Sequence, residues 1–484
     1  MRPFFTSLKI PLHHRASTPP ERKLLARLSL SDLSSLSISS VAPLFSMAAA
    51  GQLLVRLTGA HVEWAVLAVA VPFVLSAWLF RLLNHHFPNT GASYHWSRRV
   101  LGPMASRFQS WVLLMAYFWS IPPIIIPAAQ QTLQLLGMPS QSPWLVIAFS
   151  AAWIAVSCTV LLLGSRVTAR VTQVFMGLEV LSVALLVAVG MRHWHGVVSR
   201  GAPAMSWHGF VVAMVVGATI VDGWEIDSYA AEESKKPKFA PGTGGIIGAV
   251  MVLVYYLLAW SVMLHNVPIR QLAAHPDVLT TWVGVIAPRW TPVALIPILA
   301  STAGSLWLTS FILSRALYAM GRDRILPSAL SQVNRFHAPV WGVVVPSAVG
   351  LIIVSADLVW PSVDGLFNLV LSAAGFFLVM EFLFDSVTAA IFLTRHHNDL
   401  PHGWDRHHHR FLQGLSFITT GLFVGMTAMF VLYGGTILGQ SLDVVIGVLL
   451  AIGLWFAWAF KKHSAQFHIF RPQEDDQAAS EDAV

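Results

Sequence analysis

SLSISSVAPLFSMAAAGQ, residues 35–52, is an apolar stretch with a break written into its middle. Pro43 removes a backbone donor and its ring clashes with the preceding turn, so a helix running through this stretch is interrupted there. Ala48, Ala49, Ala50 and Gly51 follow, small enough for helices to approach closely. The stretch lies inside a longer apolar run, 34–57, and roughly 20 such residues cross about 30 Å of hydrocarbon.

Eleven more runs follow: 62–86, 107–136, 143–163, 168–190, 207–229, 243–266, 290–319, 341–358, 363–394, 412–435 and 441–460. The whole chain of 484 residues is 55% hydrophobic and 11% charged. Its mean hydropathy is +0.65. Soluble proteins carry about 25% charged residues, so lipid is the natural solvent here. The sequence therefore predicts an all-α polytopic membrane protein of about twelve spans. The formal charge of +7 does not imply nucleic acid, because the basic residues follow the loops. With the N-terminus inside, 24 Lys and Arg fall on inner segments and five on outer links. By the positive-inside rule both termini are then cytoplasmic, in an inner cytoplasmic membrane.

The first 30 residues have no apolar core of a signal peptide, so the first span reads as an uncleaved anchor. Residues 1–33 read as a cytoplasmic tail. Residues 461–484 read as another, acidic and expected to be disordered from 471 on. Cys158 is the one cysteine, and it lies within a run, so an intrachain disulfide is excluded. RHHNDLPHGWDRHHHR, 395–410, is a cytoplasmic loop whose six histidines read as a polar basic surface rather than a metal site. There is no H-E-x-x-H and no G-x-x-x-x-G-K-S/T, so neither zinc hydrolysis nor ATP drives this protein. No cofactor and no enzymatic reaction is expected.

The sixth run, WHGFVVAMVVGATIVDGWEIDSYAAEESKKP from 207, is interrupted too. Gly217 and Gly223 weaken the helix, and acids begin in mid-run at Asp222. Discontinuous helices in corresponding places are the sequence pointer to a midplane substrate site, where freed amides and carbonyls hold charged groups.

Four segments resemble the amino acid–polyamine–organocation superfamily of transporters. FPNTGASYHWSRRVLGP, 87–103, is similar to the family's P-x-x-G-G-x-Y-x-W/Y-x-R-R-x-x-G-P, with Ala92 for the second glycine. GSRVTARVTQ, from 164, resembles G-x-K-x-S-A-x-x-Q. In the sixth run, GWE followed by AAEESKKPKFAP resembles G-x-E then E-E-T-K-N-P-x-x-x-P. SRALYAMGRDRILP, 314–327, resembles R-x-x-Y-A-M-G/A-R-D-G-x-L-P, with Arg324 for glycine. The resemblance implies a leucine-transporter-type five-plus-five inverted repeat, 34–190 and 207–394, with two extra helices at 412–460. It implies a site between the first, third, sixth, eighth and tenth spans. It also implies alternating-access transport of amino acids or amines, driven by protons or a counter-solute. Three departures stand out. Val41-Ala42-Pro43-Leu44-Phe45-Ser46 replaces the family's G-S/A-G, and Pro43 offers no N–H to a carboxylate. Glu179 stands where many proton-coupled members have lysine, and Asp222 where an apolar or aromatic residue is usual.

A charge at the bilayer centre costs on the order of 3 kcal/mol, so intramembrane acids are functional candidates. Glu179, in MGLEVLSVALL, either couples a proton or cation, or is a protonated acid bonded to a neighbour. Glu225 matches the family's G-x-E acid and is expected to couple or to scaffold. Asp222 is either the counter-ion of a substrate amine or the cap of the second half-helix. Val41, Ala42, Pro43, Ser46, Ile220 and Gly223 complete the candidate substrate site, with Tyr117, Trp119 and Trp224 as stacking aromatics. Ser301, Thr302 and Ser305 are hydroxyls resembling a sodium-type site, and Ser301 and Ser305 join the coupling set. Glu381 and Asp385 share one helix face and either line the pathway or pair with Arg395. Glu232 and Glu233 are expected to form gating pairs with Arg98, Arg99 or Arg322. The substrate class left open is amino acid or amine, tilted toward a cation, with an inorganic cation or a non-transporting sensor as alternatives.

Overall fold

Helices cover every apolar run. The computed structural model describes residues 23–194, 206–356, 363–395, 406–438 and 440–459, so most of the N-terminal tail, all of the C-terminal tail and 396–405 of the histidine-rich loop lie outside the described residues. The first run divides into α1 (Leu30–Val41) and α2 (Pro43–Thr58). Then come α3 (Val62–His86), the short α4 (Ala92–Val100), α5 (Pro103–Leu135), α6 (Pro143–Leu162) and α7 (Ser165–Arg192). The sixth run divides into α8 (Trp207–Val221) and the single turn α9 (Ile226–Tyr229). After α10 (Ala240–Asn266), the connection holds α11 (Ile269–Ala274) and α12 (Val278–Ile286). α13 (Thr291–Arg322), α14 (Val340–Ser355), α15 (Val363–Arg395), α16 (Arg406–Leu438) and α17 (Gln440–Ala459) complete the chain. Nine helical stretches among the described residues are long and apolar enough to cross a membrane, the first, Leu30–His86, taking in α1, α2 and α3 together. Trp207–Val221 and Val340–Ser355 are apolar but shorter.

α5 lies at the centre, packed on α13, α14 and α15. α1 packs on α7, α10 and α13, and α2 on α8 and α13. α6 and α7 lie at the periphery and leave Val156, Val174, Leu181 and Leu185 exposed, as lipid-facing helices do. α1 starts in a capping box, with Ser29 Oγ accepting from the Asp32 N–H and Asp32 Oδ2 accepting from the Ser29 N–H. Its serine face meets glycines: a Cβ on Gly248 would lie 2.6 Å from Ser37 Cβ, and one on Gly304 2.9 Å from Ser39 Oγ. Small residues on both sides bring the backbones together where lipid gives no hydrophobic drive for association.

The end of the bundle that carries α4 is shut. Arg322 makes a fork onto Glu232, with both bonds at 2.8 Å. Arg98 and Tyr94 both reach Asp323, each at 2.5 Å. Beneath them Arg315 meets Glu233 at 3.0 and 3.2 Å, both side chains essentially inaccessible. The segment before α1 is laced to the same place: the Arg27 and Leu28 N–H groups donate to the Glu233 carbonyl, and the Lys235 N–H donates to the Leu28 carbonyl.

Candidate functional site

At the first break Ala42 adopts a left-handed conformation, φ 49° and ψ 64°, and Pro43 begins α2 with no N–H to leave unsatisfied. The amides that a half-helix normally exposes are all engaged. Leu44 N–H donates to Glu179 Oε1 at 3.1 Å. Phe45 N–H donates to Ser301 Oγ at 3.1 Å, and the Ser301 O–H donates to Glu179 Oε1 at 2.5 Å. Ser46 N–H returns to the Ala42 carbonyl, and Ser46 Oγ–H donates to the Val41 carbonyl at 2.8 Å. Glu179, reaching in from α7, thus occupies the partially positive end of α2.

At the second break α8 ends at Val221 with Asp222 as its C-cap, and the chain turns at Gly223, φ 103°. A side chain here would be strained, and its Cβ would also meet the Ser40 backbone at 3.0 Å, so the two breaks touch main chain to main chain. Of the two roles weighed for Asp222, counter-ion or cap, the cap is not formed: the turn carries the Gly223 N–H over Glu225, whose two oxygens accept it at 3.0 and 2.8 Å. Tyr117 O–H adds a bond to Glu225 Oε1 at 2.7 Å. No side chain among the described residues donates to the Asp222 carboxylate.

Between the breaks lies a cavity of about 50 Å³. Val41, Ser46, Tyr117, Ile220, Asp222, Gly223 and Ser305 all line it. Sequence reading missed Ser40, Ser120, Thr219 and Thr309, hydroxyls scattered along helices with no signal to distinguish them. Other expectations are corrected. Ala42 and Pro43 shape the break without lining the cavity; the coupling candidates Glu179 and Ser301 bond to each other and to the first-break amides. Trp224 turns away to pack edge-on against Phe80 and Phe382, so it is not a stacking partner, and Trp119 does not reach the cavity.

Beyond Glu225 a buried polar chain continues. The Tyr117 ring lies 6.1 Å from that of Tyr229. Tyr229 O–H donates to Glu381 Oε1 at 2.6 Å, and the Ser93 hydroxyl lies 3.1 Å from Glu381 Oε1 and 2.7 Å from Asp385 Oδ2. Glu381 Oε2 and Asp385 Oδ1 are buried without a hydrogen-bond partner among the described residues. The expected pair with Arg395 is not formed, because that guanidinium donates to the Val100 carbonyl at 2.9 Å. Ser93 was hidden in plain view inside the 87–103 motif. Of the expected gating partners, Arg322 takes Glu232 while Arg98 turns to Asp323.

Toward the opposite end a second cavity of about 470 Å³ adjoins the first and shares Ala49 and Leu371 with it, forming a vestibule. Gln52, Arg56, Gln130, Gln134 and Asp277 make it polar. Asp277 lies in the connection between α10 and α13, where it caps α12 by accepting from the Leu279 and Thr280 N–H groups. Burial raises its carboxyl to about 6 against those bonds. The folded state therefore holds a proton that the unfolded chain releases, and stability falls as pH rises from the usual carboxylate range to about 6, then levels. Melting temperatures of Asp277→Asn and wild type are expected to draw closer at low pH, with the variant gaining relative stability by pH 7. Parallel curves would remove this assignment.

A family model described as amino acid permease matches residues 28–458. The branched-chain amino acid permease BcaP of Lactococcus lactis subsp. cremoris (strain MG1363) is 24% identical over 332 residues, 63% of this chain and 70% of that permease. BcaP of Bacillus subtilis (strain 168) is 24% identical over 357 residues, 66% of this chain and 72% of the relative. Amino acid transporter protein 6 of Caenorhabditis elegans is 29% identical over 152 residues, 29% of this chain and 28% of that protein. With nearly the whole helical bundle inside the match, the chain is an integral membrane protein that belongs to the amino acid permease family of the amino acid–polyamine–organocation superfamily.

Proposed function

We propose that this chain is a secondary transporter of amino acids or related amines, working by alternating access. The observation that carries the reading is one cavity between two interrupted helices, open toward a polar vestibule and closed at the other end by ion pairs. The names of the relatives support the substrate class. In this reading there are twelve spans, the repeats are 34–190 and 207–394, and 412–460 adds two helices. Both termini face the cytoplasm of the inner membrane. The Glu232–Arg322 and Arg98–Asp323 pairs are the inner gate, and the conformation is outward-facing. One bundle rocks against the other around the touching breaks.

Protons are the proposed driver. Asp222 stands at the cavity wall; beyond it Tyr117 O–H donates to Glu225, Tyr229 O–H to Glu381, and Ser93 lies between Glu381 and Asp385, with the two tyrosine rings in contact. Glu179, Ser301 and Ser305 are the second candidate coupling group, beside the first break. Purified protein in liposomes is expected to accumulate substrate when an inward proton gradient is imposed, and Glu225→Gln to abolish the dependence on that gradient. Uptake indifferent to the gradient would remove proton coupling. Binding with no flux would remove transport itself and leave a sensor.

A further inference from the structure

A break in a helix exposes two kinds of end. The restarting half offers N–H groups and a partial positive charge, and the ending half offers carbonyls and a partial negative charge. Zwitterionic substrates use both. Here the positive end at the first break is already taken by one of the protein's own acids, and at the second break an acid holds the Gly223 amide. Glu179 holds Leu44 N–H directly and, through Ser301, sits over Phe45 N–H. Pro43 has no N–H, and Ser46 N–H is bonded to Ala42. At the other break Glu225 holds the Gly223 N–H with both oxygens.

What remains facing the cavity has the opposite sign. α1 ends at Val41 and α8 at Val221, and the cavity wall includes Ser40, Val41, Ile220 and Asp222 from these two ends. The Ser40, Val41 and Ile220 carbonyls each accept one hydroxyl, from Ser305, Ser46 and Tyr256, and a carbonyl oxygen keeps a second lone pair for a further donor. Asp222 has no side-chain partner among the described residues, and no lysine or arginine lines the cavity. The rest of the wall is apolar, with Phe45, Ile124, Ile312 and Leu371. A carboxylate entering here would meet the Asp222 acid and two helix ends of its own sign, with the amides of the first break already occupied.

Resting on the transport reading above, we infer that the substrate is an alkylammonium ion without an α-carboxylate, its nitrogen held by Asp222 and the carbonyl ends of α1 and α8, its chain against Phe45, Ile124 and Leu371. The apolar wall is what separates this ligand from a bare inorganic cation, which would gain nothing from it.

The test uses matched pairs on full-length protein in liposomes: isoamylamine against leucine, agmatine against arginine, with potassium chloride as the inorganic probe. Each amine is expected to bind and enter at least about tenfold better than its carboxylated partner. Asp222→Asn is expected to weaken amine binding by about 30-fold or more, since one side of a buried charge pair is lost. Neutral isoamyl alcohol, tested on wild type, is expected not to compete, which keeps the charge requirement testable if the variant fails to fold. Leucine and arginine preferred over their amines would overturn the inference and leave the transporter standing. So would potassium flux that no amine inhibits, or competition by isoamyl alcohol equal to that of isoamylamine. Absence of flux for every compound would defeat both readings.

Discussion

Glu233→Ala is expected to destabilise the folded protein by about 3–5 kcal/mol, because it strands a buried cation. Arg315 is wholly inaccessible and its guanidinium meets Glu233 through two nitrogens, at 3.0 and 3.2 Å. The Phe311 ring below it, 3.5 Å from the guanidinium carbon, cannot take over, since ring faces attract a cation more weakly than a carboxylate does. The Glu233 carbonyl, which holds Arg27 and Leu28, survives the change, so the loss reports the side chain alone. Thermal unfolding in detergent reads the effect, and the double variant Glu233→Ala with Arg315→Met is expected to recover much of it, because no buried charge is then left unpaired. A single variant that melts with the wild type would show that water reaches Arg315 and that this end is looser than its geometry.

Glu179 separates into two effects. Glu179→Leu removes the acceptor of both Leu44 N–H and the Ser301 hydroxyl, and each buried orphan costs about 1–3 kcal/mol. Glu179→Gln keeps an acceptor oxygen of the same reach, so it is expected to melt within about 1 kcal/mol of wild type. The leucine variant is therefore expected to unfold far earlier and to lose uptake, while the glutamine variant folds and reports on charge alone. Retained uptake with a changed response to the proton gradient in the glutamine variant would place coupling at Glu179. If the two variants melt alike, the hydrogen bonds across the first break do not hold it together.

Much of this was legible in the chain. Apolar length gave the helices because lipid demands that every spanning backbone satisfy itself. Pro43 and Gly223 marked both breaks, since one lacks a donor and the other tolerates a positive φ. Partnerships were not legible. Glu179 was conspicuous as a lone acid, yet its partners come from 135 and 122 residues away. That Glu225 and not Asp222 takes the amide at the break was hidden for a local reason: capping rules assume an ordinary helix start, whereas the left-handed Gly223 hands its N–H to the later acid. Ser93 and Asp385, 292 residues apart, carry no shared pattern at all. Trp224 illustrates the same limit, for an aromatic beside a break packs outward as readily as inward.

The segment that precedes α1 has a use beyond closing one end. Its main chain is stitched to the Glu233 carbonyl and to the Lys235 amide, so any motion that parts α9 from α13 must unpick that stitch or drag the segment along. Ala26, exposed within it, is then a natural position for a spin label or fluorophore: the distance from there to the foot of α13 becomes a clock hand for the transport cycle, readable without touching a single residue of the cavity.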